Sequence, residues 1–244
     1  MVPNGILERA AKGEKALGLS FKESSGEMVD LAGCMGIDFV AFDAQHTPVT
    51  PSEIAEMCHI AEAHSMTVTV RVPDKDESTL LSFLDRGVRV LTVPNLLTKQ
   101  EAEDLVKYSF FAPLGLRSAT SVGTLRSQID GDHPRMFRDV NANTVIVPQL
   151  ESVVAYENLD EILEVEGIDY FALGAEDMAQ SLGLPGEPQH PKVKEVHEKI
   201  EEKLKAAGKG FFHHYMEGVA VFDLTKDAIA GLLEKHGRTS KLGW

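Results

Sequence analysis

Two hydrophobic patterns alternate along the chain. Short runs of Val, Ile, Leu and Phe are followed by longer stretches in which apolar residues recur every three or four positions. The first pattern predicts buried strands, and the second predicts helices that cover one face of a core. The predicted strands are 17–21, 37–43, 67–72, 88–94, 144–150, 170–174 and 210–215, with a weak additional one at 116–118. The predicted helices are 52–63, 77–86, 99–108, 153–163, 175–181, 192–207 and 225–236.

The regular alternation of strands and helices predicts the fold class. About eight strands that each lead into a helix favour a parallel sheet covered by helices. We therefore predict an α/β fold of the (β/α)8 TIM-barrel type, with residues 1–244 forming a single domain. An open, doubly wound sheet is also compatible with the periodicity, although no G-x-G-x-x-G turn follows a predicted strand.

Two stretches depart from this alternation. Residues 120–138 contain Gly123, Gly131 and the break Asp132-His133-Pro134, which predict a long loop with short helices over an active site. Residues 210–244 form an atypical last strand–helix unit, because 217–224 is short for a complete strand–helix–strand passage. The last unit is thus the least regular part of the predicted barrel.

The charge balance narrows the possible partners. The 244 residues include 24 Lys and Arg against 38 Asp and Glu, which gives a net charge of −14. Such an acidic protein repels nucleic acid and anionic membranes, so we expect neither as a partner. No run reaches the ~18 apolar residues that a membrane helix needs.

The cysteines and the first residues bear on the cellular location. Cys34 and Cys58 are too few for a disulfide framework, and the first ten residues lack a signal-peptide core, so we expect a cytoplasmic protein.

Polar residues collect where the predicted strands end. In a TIM barrel the catalytic groups lie at the carboxyl ends of the strands, at one mouth of the barrel. Several strand ends here carry a histidine, an arginine, an amide or carboxylates, which predicts one polar site. These residues are Asp43, Gln45, His46, Arg71, Gln149, Glu151, Gly174, Glu176 and Asp177.

Four of these residues have both a catalytic and a structural interpretation. Glu151 and Asp177 are suitable ligands for Mg2+ or Mn2+, or they cap the helices that they precede. Arg71 binds a carboxylate substrate, or it forms a structural salt bridge with a neighbouring acid. His46 is a base oriented by Asp43, or a solvated loop residue. No lysine ends a predicted core strand, so any carbonyl chemistry is expected to be metal-assisted rather than to use a Schiff base.

The order of short motifs resembles that of the HpcH/HpaI aldolases. These are class II pyruvate-dependent aldolases typified by 4-hydroxy-2-oxoheptanedioate aldolase. The resemblance covers about residues 17–209, most of the chain. The matching segments are 36–43 (GIDFVAFD), 45–46 (QH), 70–72 (VRV), 84–87 (LDRG), 93–94 (VP), 113–117 (PLGLR), 149–152 (QLES), 158–163 (NLDEIL), 165–169 (VEGID), 174–177 (GAED) and 181–183 (SLG).

The resemblance implies a role for each site residue. Glu151 and Asp177 would hold a divalent metal (Mg2+, Mn2+ or Co2+) that chelates pyruvate, and Arg71 would stabilise the enolate oxygen. His46, held by Asp43 and by Asp85, would move the proton of the aldehyde-derived hydroxyl. Gln149 would lie beside the metal, and the backbone of Gly174, Ala175 and Glu176 would contact the pyruvate carboxylate. The resemblance further implies a (β/α)8 barrel assembled as a homo-hexamer whose paired subunits exchange their last helix.

The chain also departs from the family pattern. Gln45 stands where a glutamate is usual, Ser118 replaces a glycine, Glu176 replaces a small residue, and the segment after Lys209 is short. The principal hypothesis is an aldolase that cleaves or forms 4-hydroxy-2-oxo acids from pyruvate and an aldehyde. The alternatives are a 2-oxo-dicarboxylate decarboxylase or related lyase on the same site, and a catalytically silent barrel that binds a small acid.

Overall fold

Eight parallel strands form one curled sheet in the computed structural model, which describes residues 3–119 and 132–241. The strand order is β7-β6-β5-β4-β3-β2-β1-β8. Helices follow the strands, so the predicted α/β class and the parallel sheet are confirmed. The strands are β1 (Ala16–Phe21), β2 (Phe39–Asp43), β3 (Thr67–Arg71), β4 (Val90–Val93), β5 (Val145–Leu150), β6 (Tyr170–Leu173), β7 (Gly210–Phe211) and β8 (Met216–Ala220).

The helices agree with the predicted positions over most of the chain. Thr50 caps α3 in a capping box: its hydroxyl oxygen accepts from the Glu53 amide, and the Glu53 carboxylate accepts from the Thr50 amide. The helices are α1 (Gly5–Ala11), α2 (Gly26–Cys34), α3 (Pro51–Ala63), α4 (Glu77–Leu84), α5 (Lys99–Ser109), α6 (His133–Asn143), α7 (Val153–Glu157), α8 (Leu159–Ile162), α9 (Ala175–Ser181), α10 (Pro191–Ala206) and α11 (Val221–Lys235). Within the described ranges, no helix is long and apolar enough to cross a bilayer.

The sheet register brings the strand ends together. Asp43 at the end of β2 pairs with Arg71 at the end of β3, and Thr92 of β4 pairs with Arg71 from the other side. At the edge of the strand order, β8 pairs with β1. No ladder joins β7 to β8 in the described part of the chain, where the 3-10 helix Phe212–Tyr215 contacts both β6 and β8.

Two apolar layers stabilise the sheet. A large buried cluster lies between the strands and the outer helices, and a smaller one includes Ile6, Phe39 and Phe212. The Phe39 ring lies over Gly18 of β1, where a Cβ atom would overlap with it. A glycine is needed at this position because the ring occupies the space of a side chain.

The middle of the chain corrects two predictions. The predicted strand at 116–118 is wrong, since those residues form no strand. Of the predicted loop 120–138, residues 120–131 lie outside the described residues, and the remainder begins α6. Asp132 caps this helix by accepting a bond of 2.9 Å from the Arg135 amide, and Pro134 lies in its first turn. A break signal of Asp and Pro therefore starts a helix here, as both residues favour helix N-termini.

Residues 210–241 correct two more predictions, one for a strand and one for a helix. The strand predicted over 210–215 ends after Phe211 and continues as the 3-10 helix. The eighth strand is β8, and α11 starts four residues before the helix predicted at 225–236. The pattern was weak because β8 is partly exposed and no residue of α11 is buried. Phe222, Ile229 and Leu232 of α11 are instead exposed.

Candidate active site

Arg71 and Asp43 form a paired unit at the carboxyl ends of β2 and β3. The Arg71 Nε donates to Asp43 Oδ1 at 2.9 Å, and its NH2 group donates to Asp43 Oδ2. Burial alone would raise the pKa of Asp43, but the hydrogen bonds and charge of Arg71 outweigh it and lower that pKa. The salt-bridge interpretation of Arg71 is therefore observed. It leaves the guanidinium partly exposed, with 31% of the side chain accessible.

The same Asp43 carboxylate shapes the loop that carries His46. Asp43 Oδ1 accepts bonds from the backbone amides of Gln45 at 3.1 Å and His46 at 3.4 Å. The Thr47 hydroxyl donates to the Asp43 carbonyl. Asp43 thus fixes the backbone before the imidazole, and the His46 side chain itself is exposed.

Glu151 is a buried carboxylate directly after β5. Its Oε1 accepts a bond of 2.7 Å from the backbone amide of Asn95, and the residue is 6% exposed. A Cβ atom on Gly174, after β6, would overlap with the Glu151 carboxylate, so a glycine is required there. Glu151 does not cap α7, because Ser152 accepts the capping bond from the Ala155 amide.

Charged groups from three other strand ends act on Glu151. Burial raises the pKa of Glu151, the Asn95 bond lowers it, and the negative charge of Asp177 raises it again. The positive charges of Arg71 and His46 lower it. Asp177 lies exposed in the first turn of α9, whose N-cap Gly174 makes no side-chain cap bond. The charges of one carboxylate, one arginine and one histidine from other strand ends therefore all act on Glu151.

The donor set at this point fits a hard divalent cation. Gln149, 5% exposed, has a buried Oε1 with no hydrogen-bond partner among the described residues. A buried acceptor without a partner is destabilising, so a hydrogen-bond donor or a cation next to Gln149 Oε1 would be favourable. Two carboxylates with a raised Glu151 pKa likewise gain from a positive charge between them. Oxygen donors of this kind suit Mg2+ or Mn2+.

Of the remaining predicted substrate contacts, Gly174 lies beside Glu151. Gly174 and Ala175 are half-buried at the start of α9, and Glu176 is exposed in its first turn. Asn95 was not among the predicted site residues; it adopts a left-handed backbone with φ of 56°, and its amide donates to Glu151. The signal was present, because an Asn after a strand end tolerates this conformation.

Asp85 lies elsewhere. It follows α4, which runs back from the end of β3 to the start of β4, so it is at the opposite end of the sheet from His46. Its carboxylate accepts a bond of 2.7 Å from Arg117, whose side chain is 1% exposed and stacks over Phe111. Within the chain, the expected contact between Asp85 and His46 is therefore not formed.

The chain is similar in sequence to proteins of one described family. The sequence profile of the family described as HpcH/HpaI aldolase/citrate lyase matches residues 17–226. The chain is 31% identical to 2-keto-3-deoxy-L-rhamnonate aldolase of Klebsiella pneumoniae over 209 residues, covering 86% of this chain and 78% of that protein. It is 31% identical to 4-hydroxy-2-oxovalerate aldolase of Rhodococcus jostii over 207 residues, covering 84% and 79%.

A solved structure shares the fold. The crystal structure of an HpcH/HpaI aldolase from Desulfitobacterium hafniense superposes with a TM-score of 0.81, at 20% identity over 98% of both chains. The proteins matched by sequence are named aldolases, which are carbon–carbon lyases. Together with the profile match, they show that this chain is an enzyme of that type and that it belongs to the HpcH/HpaI aldolase/citrate lyase family.

Proposed function

We propose that the chain is a divalent-metal-dependent aldolase that cleaves or forms 4-hydroxy-2-oxo acids, with the pyruvate enolate as donor and an aldehyde as acceptor. Its relatives are named as aldolases of a 2-keto-3-deoxy acid and of 4-hydroxy-2-oxovalerate. The observation that carries the proposal is that the charges of three side chains from other strand ends act on one buried carboxylate. Glu151 feels the charges of Asp177, Arg71 and His46.

Glu151 and Asp177 would hold the cation, Mg2+, Mn2+ or Co2+. When bound, it supplies positive charge to the keto and carboxylate oxygens of the 2-oxo acid. Gly174 supports this assignment, because its missing side chain leaves the space that the Glu151 carboxylate occupies. The orphaned Gln149 Oε1 would accept a hydrogen bond from a water in the same site.

Arg71 would stabilise the charge that develops during cleavage. Breaking the bond between C3 and C4 leaves an enolate, and its negative charge is the main barrier. A guanidinium already oriented by Asp43 opposes that charge without first having to reorganise. The exposed part of Arg71 would face the substrate while Asp43 holds the other edge.

His46 would move the proton of the C4 hydroxyl. In the cleavage direction the imidazole accepts this proton, and in the synthetic direction it returns the proton to the aldehyde oxygen. The bonds of Asp43 to the Gln45 and His46 amides hold the loop in which the imidazole stands. The backbone of Gly174, Ala175 and Glu176 would contact the substrate carboxylate.

We also propose that the eight strands close into a single-domain (β/α)8 barrel and that the protein is a homo-oligomer, a hexamer as in the family. The contacts of the 3-10 helix Phe212–Tyr215 with β6 and β8 support closure. The exposed apolar residues of α11 support assembly, because a patch of this kind on a helix usually marks an interface. Sedimentation equilibrium of the purified chain tests the oligomer, and a monomer would contradict it.

The experiment that tests the activity is a panel of aldehydes with pyruvate and Mg2+, Mn2+ or Co2+, read by mass spectrometry. We expect a 4-hydroxy-2-oxo acid product that disappears with EDTA and in Glu151→Gln and Asp177→Asn. Glu198→Gln, at an exposed glutamate of α10, is the matched control and should keep full turnover. Turnover that survives EDTA would contradict the proposal. Release of carbon dioxide from oxaloacetate without any aldehyde product would favour the decarboxylase instead.

A further inference from the structure

We propose a second metal site, for Zn2+, on the outside of the sheet, formed by Asp30, Cys34 and His64. One ligand atom from each of these residues lies within 4.8 Å of the others. Among the described residues this is the one group of three or more such side chains that comes so close together. It is separate from the candidate active site, because it joins α2 and α3 rather than the strand ends.

The backbone places the three side chains on facing surfaces. Asp30 and Cys34 are four residues apart on α2, so they project from the same face of that helix. His64 is the C-cap of α3, which packs directly against α2. One helix thus supplies an oxygen and a sulfur, and its neighbour supplies a nitrogen.

The imidazole is held in position before any metal binds. His64 Nε2 and Asp30 Oδ1 are 2.7 Å apart, and the His64 side chain is 23% exposed. A Cβ atom on Gly33 would overlap with the His64 ring, so a glycine at this point of α2 lets the ring lie against the helix. The site therefore needs only a small adjustment of three side chains to surround an ion.

The ligand chemistry selects zinc over the cation proposed for the mouth. A thiolate, an imidazole and a carboxylate are the common protein ligands of Zn2+, whereas Mg2+ prefers oxygen alone. Binding at Nε2 would replace the hydrogen bond to Asp30: the neutral imidazole would lose its Nε2 proton and carry one on Nδ1 instead, by exchange with solvent. The Cys34 thiol would release its proton to solvent, and no oxidation state would change. Cys34 and Asp30 are exposed, so water can fill the fourth position.

The test is a Co2+ titration followed by absorption spectroscopy, because Co2+ replaces Zn2+ and a thiolate ligand gives a charge-transfer band in the near ultraviolet. The protein is the full chain with Glu151→Gln and Asp177→Asn, which removes the proposed oxygen site at the mouth. We expect one equivalent of Co2+ with this band, and its loss when Zn2+ is added in competition. The proposal does not depend on catalytic activity, so its failure and that of the proposed function are distinguishable.

Variants assign the ligands. Cys34→Ser should abolish the band, and Asp30→Asn or His64→Gln should weaken Co2+ binding by more than roughly tenfold. His59→Gln, at an exposed histidine of the same helix α3, is the matched control and should bind normally. Absence of the band in the parent chain would overturn the site. Its persistence in Cys34→Ser, or equal binding by His64→Gln and His59→Gln, would overturn it as well.

Discussion

Two arginine–aspartate pairs stand at opposite ends of the sheet, and they differ in access to solvent. Arg71 and Asp43 at the mouth have side chains that are 31% and 25% exposed. Arg117 at the other end is 1% exposed, and its partner Asp85 is 21% exposed. The same chemistry thus occurs once where a small acid can reach the cation and once where it cannot.

The difference in burial separates a reactive pair from a structural one. Burial lowers the pKa of Arg117, and the hydrogen bond that Arg117 donates to Asp85 partly offsets this. The Arg117 Nε has no partner among the described residues. The buried Arg117 charge is therefore stabilised mainly by its counter-ion Asp85. Arg71 stays 31% exposed and its charge acts on Glu151, so an anionic substrate could reach it.

The largest effect is expected at the mouth. Arg71→Gln should lower kcat/KM about 1,000-fold, because it removes the positive charge that opposes the developing enolate. The melting temperature should change little, since the pair is partly solvated. Steady-state kinetics with thermal unfolding measures both. Arg71→Lys keeps the charge but loses the two-bond geometry, so its kcat/KM should lie between those of the wild type and Arg71→Gln. Unchanged kcat/KM in Arg71→Gln would end the distinction between the pairs.

At the opposite end of the sheet, substitutions in the Asp85–Arg117 pair should lower stability and leave activity unchanged. Arg117→Met removes the buried charge and leaves the Asp85 carboxylate without its partner. Asp85→Asn leaves the buried arginine without its counter-ion. We expect Asp85→Asn to lower the free energy of unfolding by about 3 kcal/mol, with kcat/KM of the folded enzyme unchanged. Arg117→Met should cost less, because Asp85 can still reach solvent. Denaturant titration gives the stability, and a selective loss of activity in either variant would contradict a structural role.

Substitution of His46 tests whether proton transfer at the candidate active site is independent of Asp85. His46→Gln should lower kcat about 100-fold, the lower end of general acid–base catalysis. The pH dependence of kcat should also lose one of its limbs, which a merely structural histidine would not remove. If Asp85→Asn reproduced both changes, Asp85 would have to act on His46 across the sheet or between subunits.

The smallest effect concerns acid stability. The pKa of Asp43 is lowered in the folded state from the ordinary 3.8, since Arg71 outweighs burial. Its contribution is therefore present above the unfolded pKa and is lost as the pH falls through the lower folded value. Urea unfolding of the wild type and Asp43→Asn from pH 7 to pH 3 should show a constant difference that shrinks only below about pH 4. A difference that grew on acidification would contradict the sign.

The sequence predicted the mouth better than the far end, for a physical reason. Strand β3 and helix α9 carry local periodic signals, and the rule that strand ends share one mouth then places Arg71, Glu151 and Asp177 together. The bond between Asp85 and Arg117 spans 32 residues and has no local pattern. The strand β8 was missed since its exposed residues do not form a hydrophobic run.

The central claim is that Glu151 and Asp177 together bind the catalytic cation. The most direct measurement is the anomalous difference density of a crystal soaked with Mn2+ and pyruvate. We expect one strong peak in contact with both carboxylates and with two pyruvate oxygens. Pyruvate bound at the mouth with no Mn2+ between these carboxylates would contradict the account.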